Sequence, residues 1–238
     1  VHDELIFEVP EEELELMTVD MLKDLGYEYE PGESIGRDYT EVILEPNLTM
    51  SLYKINRNLK DETIAEAVRI IKNLDQNNLV NNNKVFSKYL HTGVSVPEYT
   101  KDGVIYHTVK IIDFENIDNN EFLVTNQFTI EEQSTKRPDM IIFINGLPLV
   151  VFELKSMTRE DVNLESAYNQ LKGYMNVHIP SLFYYNQILV VSDGVTAKAG
   201  TITCNYSRFN EWKKTGISDT ARKNNTHESL INGIFNKE

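Results

Sequence analysis

The chain has 238 residues, a formal net charge of −14 at neutral pH and a single cysteine, Cys204. Its length suits one large α/β domain, and its acidic balance argues against a free-standing nucleic-acid-binding module, which normally carries a basic surface. One cysteine excludes an intrachain disulfide and indicates a reducing compartment, so Cys204 is expected to be a half-buried strand residue. The sequence has no apolar run of about 18 residues and no signal peptide, so we expect a cytoplasmic protein without a membrane span.

The first part of the chain is predicted to be mainly helical. Apolar residues on one face predict a helix from Glu11 to Leu25, and others over 62–74 and 85–91. The asparagine-rich stretch 75–84 is typical of a polar loop or a helix–helix connection. Residues 39–44 are rich in β-forming side chains and predict a first strand, whereas the pattern of the following ten residues is ambiguous.

Strands follow in the middle of the chain. Alternating side chains predict strands over 104–112 and 121–130, and the polar residues 131–136 form a link to the next strand. We therefore expect three or four adjacent antiparallel strands before any crossover connection.

Residues 137–155 have the pattern of two apolar strands joined by a tight turn. Apolar runs at 140–144 and 149–152 predict strands that are buried on both faces. Asn145-Gly146, between them, is typical of a hairpin turn because both residue types tolerate positive φ. The stretch therefore predicts a buried β-hairpin.

Charged residues lie at the open end of this hairpin. Asp139 begins the first strand, and Glu153 and Lys155, two apart, share one face near the end of the second. A two-residue turn in regular register would place Asp139 opposite Phe152, and Glu153 would point to the other face. We therefore predict an odd-length loop, a β-bulge or a sharp bend that brings Asp139 level with Glu153.

Two carboxylates and an ammonium group are costly to bury unless another charge compensates them. Asp139 and Glu153 would bind Mg²⁺, or Mn²⁺ in its place, through oxygen. The ion would lower the pKa of a bound water, and Lys155 would orient that water and stabilise the charge that develops on a phosphate. The alternative is an ordinary ion pair, either Glu153–Lys155 or Asp139–Arg137, without a metal.

After the hairpin, a helix is predicted over 164–176, capped by Thr158 or Asp161. Gln170 and Tyr174 are four residues apart and lie on one face of it, where Tyr174 could equally belong to the buried apolar stripe. The aromatic residues 183–185 are expected to belong to the core, with a platform for DNA bases as the alternative. The elements predicted further on are a strand over 187–191 parallel to the second hairpin strand, a strand over 197–203 and an edge element or helix over 209–213.

These motifs resemble a known family. Pro138-Asp139 with Glu153-Leu154-Lys155 resembles the core of PD-(D/E)xK nucleases, and residues 165–174 resemble the QxxxY element that follows this core in the motor (R) subunits of type I restriction enzymes. Residues 25–29 and 191–201 are also similar to that family. The resemblance covers residues 14–214, from Leu14 to Lys214.

The resemblance implies an α/β fold with a restriction-endonuclease-like central mixed β-sheet flanked by helices. It also implies Mg²⁺-dependent hydrolysis of double-stranded DNA. The implied catalytic residues are Asp139, Glu153, Lys155, Gln170 and Tyr174, and the implied metal ligands are Asp139, Glu153 and Glu15. For Glu15 the alternative is that it belongs to an acidic helix start stabilised by the helix dipole.

The family also implies partners and a larger protein. The intact subunit would act with modification and specificity subunits and would consume ATP through a motor region, since no G-x-x-x-x-G-K-[ST] phosphate loop occurs in this sequence. We expect residues 1–214 to form the nuclease domain and residues 215–238 to be a linker, containing the start of a new helix near 230–235, toward that motor.

Two other interpretations remain open. The chain lacks an initiator methionine, which indicates a fragment, and residues 1–10 resemble a palm motif of family A DNA polymerases. We interpret that match as coincidental or as an anomaly at the chain start, because no nucleotide-binding helix and no second palm aspartate occur. The stronger alternative is a non-catalytic, nuclease-like module that docks DNA or partner subunits.

Overall fold

The fold comes from a computed structural model that describes residues 10–76, 78–155, 163–212 and 225–237. Its helices are α1 (Glu11–Asp24), α2 (Glu45–Ile55), α3 (Asp61–Lys72), α4 (Leu79–Thr92), α5 (Leu164–Gly173), α6 (Pro180–Phe183) and α7 (Thr226–Ile234), with 3-10 turns at Ile117–Asn119 and Tyr206–Arg208 and a π-helical turn at Tyr174–His178. Its strands are β1 (Glu28–Tyr29), β2 (Val94–Thr100), β3 (Gly103–Val109), β4 (Phe122–Asn126), β5 (Ile130–Glu131), β6 (Thr135–Lys136), β7 (Met140–Ile144), β8 (Leu147–Leu154), β9 (Ile188–Ser192) and β10 (Ala197–Gly200).

A mixed six-stranded sheet in the order β1-β4-β7-β8-β9-β10 forms the centre of the described residues. Strand β7 runs antiparallel to its two neighbours β4 and β8, while β9 is parallel to β8 through the α5 crossover, as predicted. Helices α1 and α5 both contact β8. The predicted fold class, a central mixed sheet flanked by helices, is confirmed.

The hairpin of β7 and β8 lies in the middle of this sheet, and every residue of β8 is buried. Asn145 and Gly146 form a two-residue turn with φ of 52° and 74°. Ile144 pairs with Leu147, but Ile142 pairs with Val150, so that the register shifts at one extra β8 residue. The predicted bulge is thus present, and one step beyond the Met140–Phe152 pair brings Asp139 level with Glu153.

The buried hairpin turn also explains why residues 39–44 are not the predicted strand. Val42, Ile43 and Leu44 are buried, but the Leu44 N–H donates to the Gly146 carbonyl at 2.9 Å instead of joining a ladder. Pro46, at the start of α2, then favours a helix. The prediction of a strand was wrong because this apolar segment packs as irregular chain against the turn.

The asparagine-rich segment was also predicted wrongly as a loop, since most of it belongs to α4. Asn78 caps that helix by accepting from the Asn81 N–H, and the buried Asn82 accepts from the Gln76 N–H at 2.9 Å. Asn83 donates to backbone carbonyls in the 183–186 segment. The amides therefore have defined partners within a helix.

Other predicted elements are present, although with different neighbours. Among the residues that the structure describes, strand β3 pairs only with β2, in a ribbon outside the central sheet, and the polar link before β7 contains the small β5–β6 hairpin. The predicted cap residues 158 and 161 lie outside the described residues, and Asn163 forms a capping box with Ser166 at the start of α5. Phe183 and Tyr185 are buried, as the core interpretation predicts, and Asn210 forms an edge bridge with Ala199.

A helix near the expected C-terminal position is confirmed as α7, but it is packed against the domain. Leu230 and Ile231 are buried, and the ring of Phe235 lies 5.5 Å from that of Phe152 in the sheet. The described residues 225–237 therefore do not have the character of a free linker, and the domain boundary at residue 214 stays a prediction. None of the helices in the described ranges is long and apolar enough to cross a membrane.

Candidate active site

Asp139 lies at the open end of the hairpin, directly before β7, and is half-buried. Its Oδ2 atom accepts a hydrogen bond of 2.6 Å from the Leu154 N–H, and its carbonyl accepts one of 3.0 Å from the Gln127 N–H. The carboxylate therefore reaches across to β8 at the residue that follows Glu153. This contact is the consequence of the bulge, since regular pairing would have displaced Asp139 by one residue.

Glu153 is fully buried, and its Oε1 atom accepts a hydrogen bond of 2.7 Å from Lys155 Nζ. The Lys155 side chain is 12 % exposed, and its backbone N–H donates to the Ser192 carbonyl at 2.8 Å. The ion pair that was the alternative to a metal site is thus present. Because the catalytic interpretation also places lysine beside this carboxylate, the pair alone does not decide between the two.

Glu15 reaches the same region from α1 and is 3 % exposed. Its Oε1 atom accepts from Gln127 Nε2 at 2.6 Å and its Oε2 atom from Asn126 Nδ2 at 3.1 Å. Burial raises the pKa of Glu15 to about 7, and the negative charge of Asp139 acts in the same direction, while both amides oppose the rise. The two acids therefore lie close enough to influence each other's ionisation.

An open cleft of about 710 Å³ gives access to Asp139 and Glu15. Most of its charged lining is acidic, and Arg137 supplies a cation beside Asp139. The cleft is lined by Glu12, Glu15, Leu16, Tyr29, Pro31, Gly32, Glu33, Asn126, Gln127, Arg137 and Asp139.

The residues of the QxxxY element also lie near the acids. Gln170 Nε2 donates to the Tyr174 hydroxyl at 2.7 Å, across one turn at the end of α5. Tyr174 is buried, and its pKa is raised first by burial and then by the negative charges of Glu153 and Asp139. The structure therefore brings Tyr174 near both acids, and π-helical turns such as the one it begins are frequent at functional sites.

The donor set partly fits a divalent cation. Carboxylate oxygens of Asp139 and Glu153, from adjacent strand ends, are the hard ligands that Mg²⁺ prefers. However, no group of three or more His, Cys, Asp or Glu residues within the described ranges could hold a metal ion. Glu15 is thus not assembled with the other two acids as a third ligand in this structure, and its metal-binding role stays a prediction.

Sequence analysis missed Asn126 and Gln127, which hold Glu15 in place. They directly follow the apolar part of β4, and a polar amide pair at a strand end was the available signal. Nothing in the sequence indicates that their partner is Glu15, more than 100 positions away.

The fold and this site together define a restriction-endonuclease-like α/β domain. A family model described as "Type I restriction enzyme R protein N terminus" matches residues 8–208. The chain belongs to this family, and it forms the N-terminal domain of a type I restriction enzyme endonuclease subunit.

Relatives agree with this assignment. The type I restriction enzyme HindI endonuclease subunit of Haemophilus influenzae is 35 % identical over 96 % of this chain and 23 % of its own length. A Methanocaldococcus jannaschii protein, provisionally named the type I restriction enzyme MjaIXP endonuclease subunit, is 34 % identical over 94 % of the chain and 24 % of its own length. The SauCOLORF180P endonuclease subunit of Staphylococcus aureus is 38 % identical over 90 residues. The chain spans about a quarter of the length of the first two relatives.

Proposed function

We propose that this domain hydrolyses phosphodiester bonds of double-stranded DNA in a Mg²⁺-dependent reaction. The observation that carries the proposal is the bulged hairpin, which sets Asp139 level with Glu153 and leaves Lys155 Nζ 2.7 Å from a Glu153 oxygen. Membership of the R protein N-terminal family and the names of the relatives as endonuclease subunits support it.

Each group has a role that its environment suits. Asp139 and Glu153 would hold the Mg²⁺ ion, which when bound supplies positive charge that lowers the pKa of a water molecule. Lys155 orients the attacking water and balances the negative charge that develops on the phosphate. The raised pKa of Tyr174 keeps its hydroxyl protonated, so that it can donate a hydrogen bond to the DNA backbone while Gln170 positions it.

The longer protein supplies what this domain lacks. Because the domain itself is acidic, its DNA would be delivered by other parts of the assembly. We propose that these are the modification and specificity subunits of a type I restriction complex and a motor region that consumes ATP. The complex would work in the cytoplasm, which is a reducing compartment. The single cysteine of this chain agrees with that location, because it cannot form an intrachain disulfide.

Cleavage and ATP turnover measured side by side test the catalytic assignment. Replacing Asp139, Glu153 or Lys155 by alanine in the assembled enzyme should lower the cleavage rate by at least about 100-fold, because the first two changes remove a metal ligand and the third removes the positive charge that balances the phosphate. ATP hydrolysis should be retained. Asp102→Ala, at an exposed acid in the β2–β3 turn, is the matched control and should cleave normally. Joint loss of ATP hydrolysis and cleavage, or full cleavage by the three variants, would contradict the assignment.

A non-catalytic docking module is the second candidate, favoured by the finding that the three acids are not assembled as a ligand group. Calorimetric titration with Mn²⁺ separates the two functions. A catalytic site predicts that Asp139→Ala abolishes a binding heat seen in the unsubstituted protein. Equal heats from both proteins would favour the docking module.

A further inference from the structure

Gln127 has a backbone conformation that its residue type rarely adopts. It follows β4 directly, and its φ of 54° lies in the left-handed region, which is unfavourable for a residue other than glycine. Residues held in such conformations tend to cluster at functional sites, where the surrounding structure determines them.

This conformation lets Gln127 contact both sides of the candidate site. Asn126 makes the last β4 pair, with Met140, and Gln127 then donates its N–H to the Asp139 carbonyl at 3.0 Å. The turn at this point sends its side chain to α1, where Nε2 donates to Glu15 Oε1 at 2.6 Å. A hydrogen bond to a carboxylate at this length is among the stronger ones in proteins.

The neighbouring chain keeps this turn in place. The Gly32 N–H donates to the Asn126 carbonyl at 2.9 Å, and a Cβ atom at Gly32 would lie 2.7 Å from that oxygen and from the Phe128 Cα atom. Asn126 also accepts from the Tyr29 hydroxyl at 3.0 Å and donates to Glu15. Two segments that are distant in sequence, residues 29–32 and helix α1, thus fix residues 126–128 against the wall of the cleft.

We infer that Gln127 is a positioning residue for the acids of this site. Through its backbone it holds the segment that carries Asp139, and through its amide it fixes the Glu15 carboxylate in the cleft that Asp139 also lines. This inference rests on the proposed function, with Glu15 as a further contact of the bound ion. In metalloenzymes, residues that hydrogen-bond to the metal ligands orient those ligands, and losing such a residue weakens metal affinity. The inference assigns this role to Gln127.

Two substitutions at Gln127 separate the effect of its side-chain amide from the effect of its left-handed backbone conformation. Gln127→Met keeps the length of the side chain without its donor, and Gln127→Gly removes the donor while relaxing the left-handed backbone. Both should bind Mn²⁺ about tenfold more weakly than the unsubstituted full chain in nucleotide-free calorimetry. Gln133→Met, at an exposed glutamine before β6, is the matched control and should bind Mn²⁺ with unchanged affinity.

Thermal unfolding of the metal-free proteins completes the test. A merely structural role predicts a lower Tm with unchanged Mn²⁺ affinity, and that result would overturn the inference, as would unchanged values of both quantities. If Gln127→Met proves insoluble, Gln127→Gly carries the same expectation. Asp139→Ala in the same series identifies which proposal fails. Normal Mn²⁺ binding by Asp139→Ala would overturn the proposed function together with this inference, whereas weakened binding by Asp139→Ala alone would overturn only the role of Gln127.

Discussion

Glu153 is a charged side chain with no exposed surface, placed at the end of a strand whose other residues are apolar and buried. Removing a carboxylate from water costs several kcal/mol, which the ion pair with Lys155 offsets in part. A site that tolerates such a cost in the middle of a sheet is better explained by the chemistry of the carboxylate than by its contribution to folding. A bound cation would add stability, since it interacts with the folded state.

Lys155→Met should therefore destabilise the fold as well as remove activity. It keeps most of the side-chain volume but removes a charge that compensates the buried carboxylate, so we expect a loss of about 3 kcal/mol at pH 8 in urea denaturation. Adding Glu153→Gln to this variant should restore most of that loss, because the buried charge is then gone as well. A double variant no more stable than the single one would contradict this account of Glu153.

At the same scale, the predictability of the site differs from residue to residue. That Asp139, Glu153 and Lys155 lie together was predictable because a hairpin brings the outer ends of its two strands back together, and Glu153 and Lys155 are two residues apart on one face. The role of Gln127 was not, because a positive φ at glutamine depends on the Gly32 segment and on Glu15, both distant in the chain.

Among the elements, the β7–β8 hairpin determines the site. Because side chains alternate between the two faces of a strand, a bulge or a longer loop was needed to bring Asp139 level with Glu153. The position of the bulge follows from Pro148, which lies beside the register shift and lacks the N–H that a regular ladder uses. The carbonyl of the extra residue, Leu149, accepts from the Gln187 N–H at 2.7 Å and from Asn186 Nδ2 at 3.3 Å. The bulge is therefore stabilised from the neighbouring segment.

The hairpin turn should be intolerant of a single methyl group. A Cβ atom at Gly146 would lie 2.4 Å from the Leu44 carbonyl oxygen, and φ there is 74°. Gly146→Ala should therefore lower the free energy of unfolding by more than about 2 kcal/mol in urea denaturation. Gly36→Ala, where a Cβ atom meets nothing within 4 Å, should stay within about 0.5 kcal/mol of the unsubstituted protein. Equal stabilities of the two variants would contradict the close packing of the turn.

The wrongly predicted elements share one physical cause. The asparagines of α4 and the apolar residues before α2 have local preferences that suit a loop and a strand. Asn83 of α4 donates to the 183–186 carbonyls and Leu44 donates to the Gly146 carbonyl, each about 100 residues away, whereas the partners of Asn78 and Asn82 are near in sequence. Local sequence does not contain that information, whereas the strongly periodic α1 and α3 were predictable without it.

For the whole molecule, His227 joins the described C-terminal helix to the body of the domain. Its Nε2 atom lies 3.1 Å from Thr18 Oγ1 on α1, and its Nδ1 atom lies 2.7 Å from Ser192 Oγ on β9. Thr18 Oγ1 donates to the Leu14 carbonyl and therefore accepts from Nε2, an arrangement that suits a neutral ring. Because Thr18 and His227 are 209 residues apart, the sequence does not indicate that α7 packs against α1.

The contribution of His227 to the stability of the domain should consequently decrease in weak acid, whereas the raised pKa of Glu15 acts in the opposite direction. Burial lowers the pKa of His227 to about 4, against about 6.5 in an unfolded chain. Between these values the unfolded state binds a proton that the folded state excludes, so the full stabilisation is present above about pH 6.5 and is lost as the pH falls toward 4. Between pH 7 and pH 5 this group should account for about 2 kcal/mol of lost stability. Between pH 7 and pH 5, the free energy of unfolding of His227→Gln, measured by urea denaturation, should therefore fall by about 2 kcal/mol less than that of the unsubstituted protein. Parallel pH profiles of the two proteins would contradict the assignment.

The central claim is that Asp139 and Glu153 bind one divalent cation beside Lys155. The most direct test is the anomalous scattering of Mn²⁺ in crystals grown with the metal at a concentration that supports cleavage. We predict a peak within coordination distance of carboxylate oxygens from both Asp139 and Glu153, and loss of that peak in Asp139→Ala crystals. Crystals in which no peak contacts the two carboxylates, or in which the peak persists unchanged without Asp139, would contradict the account.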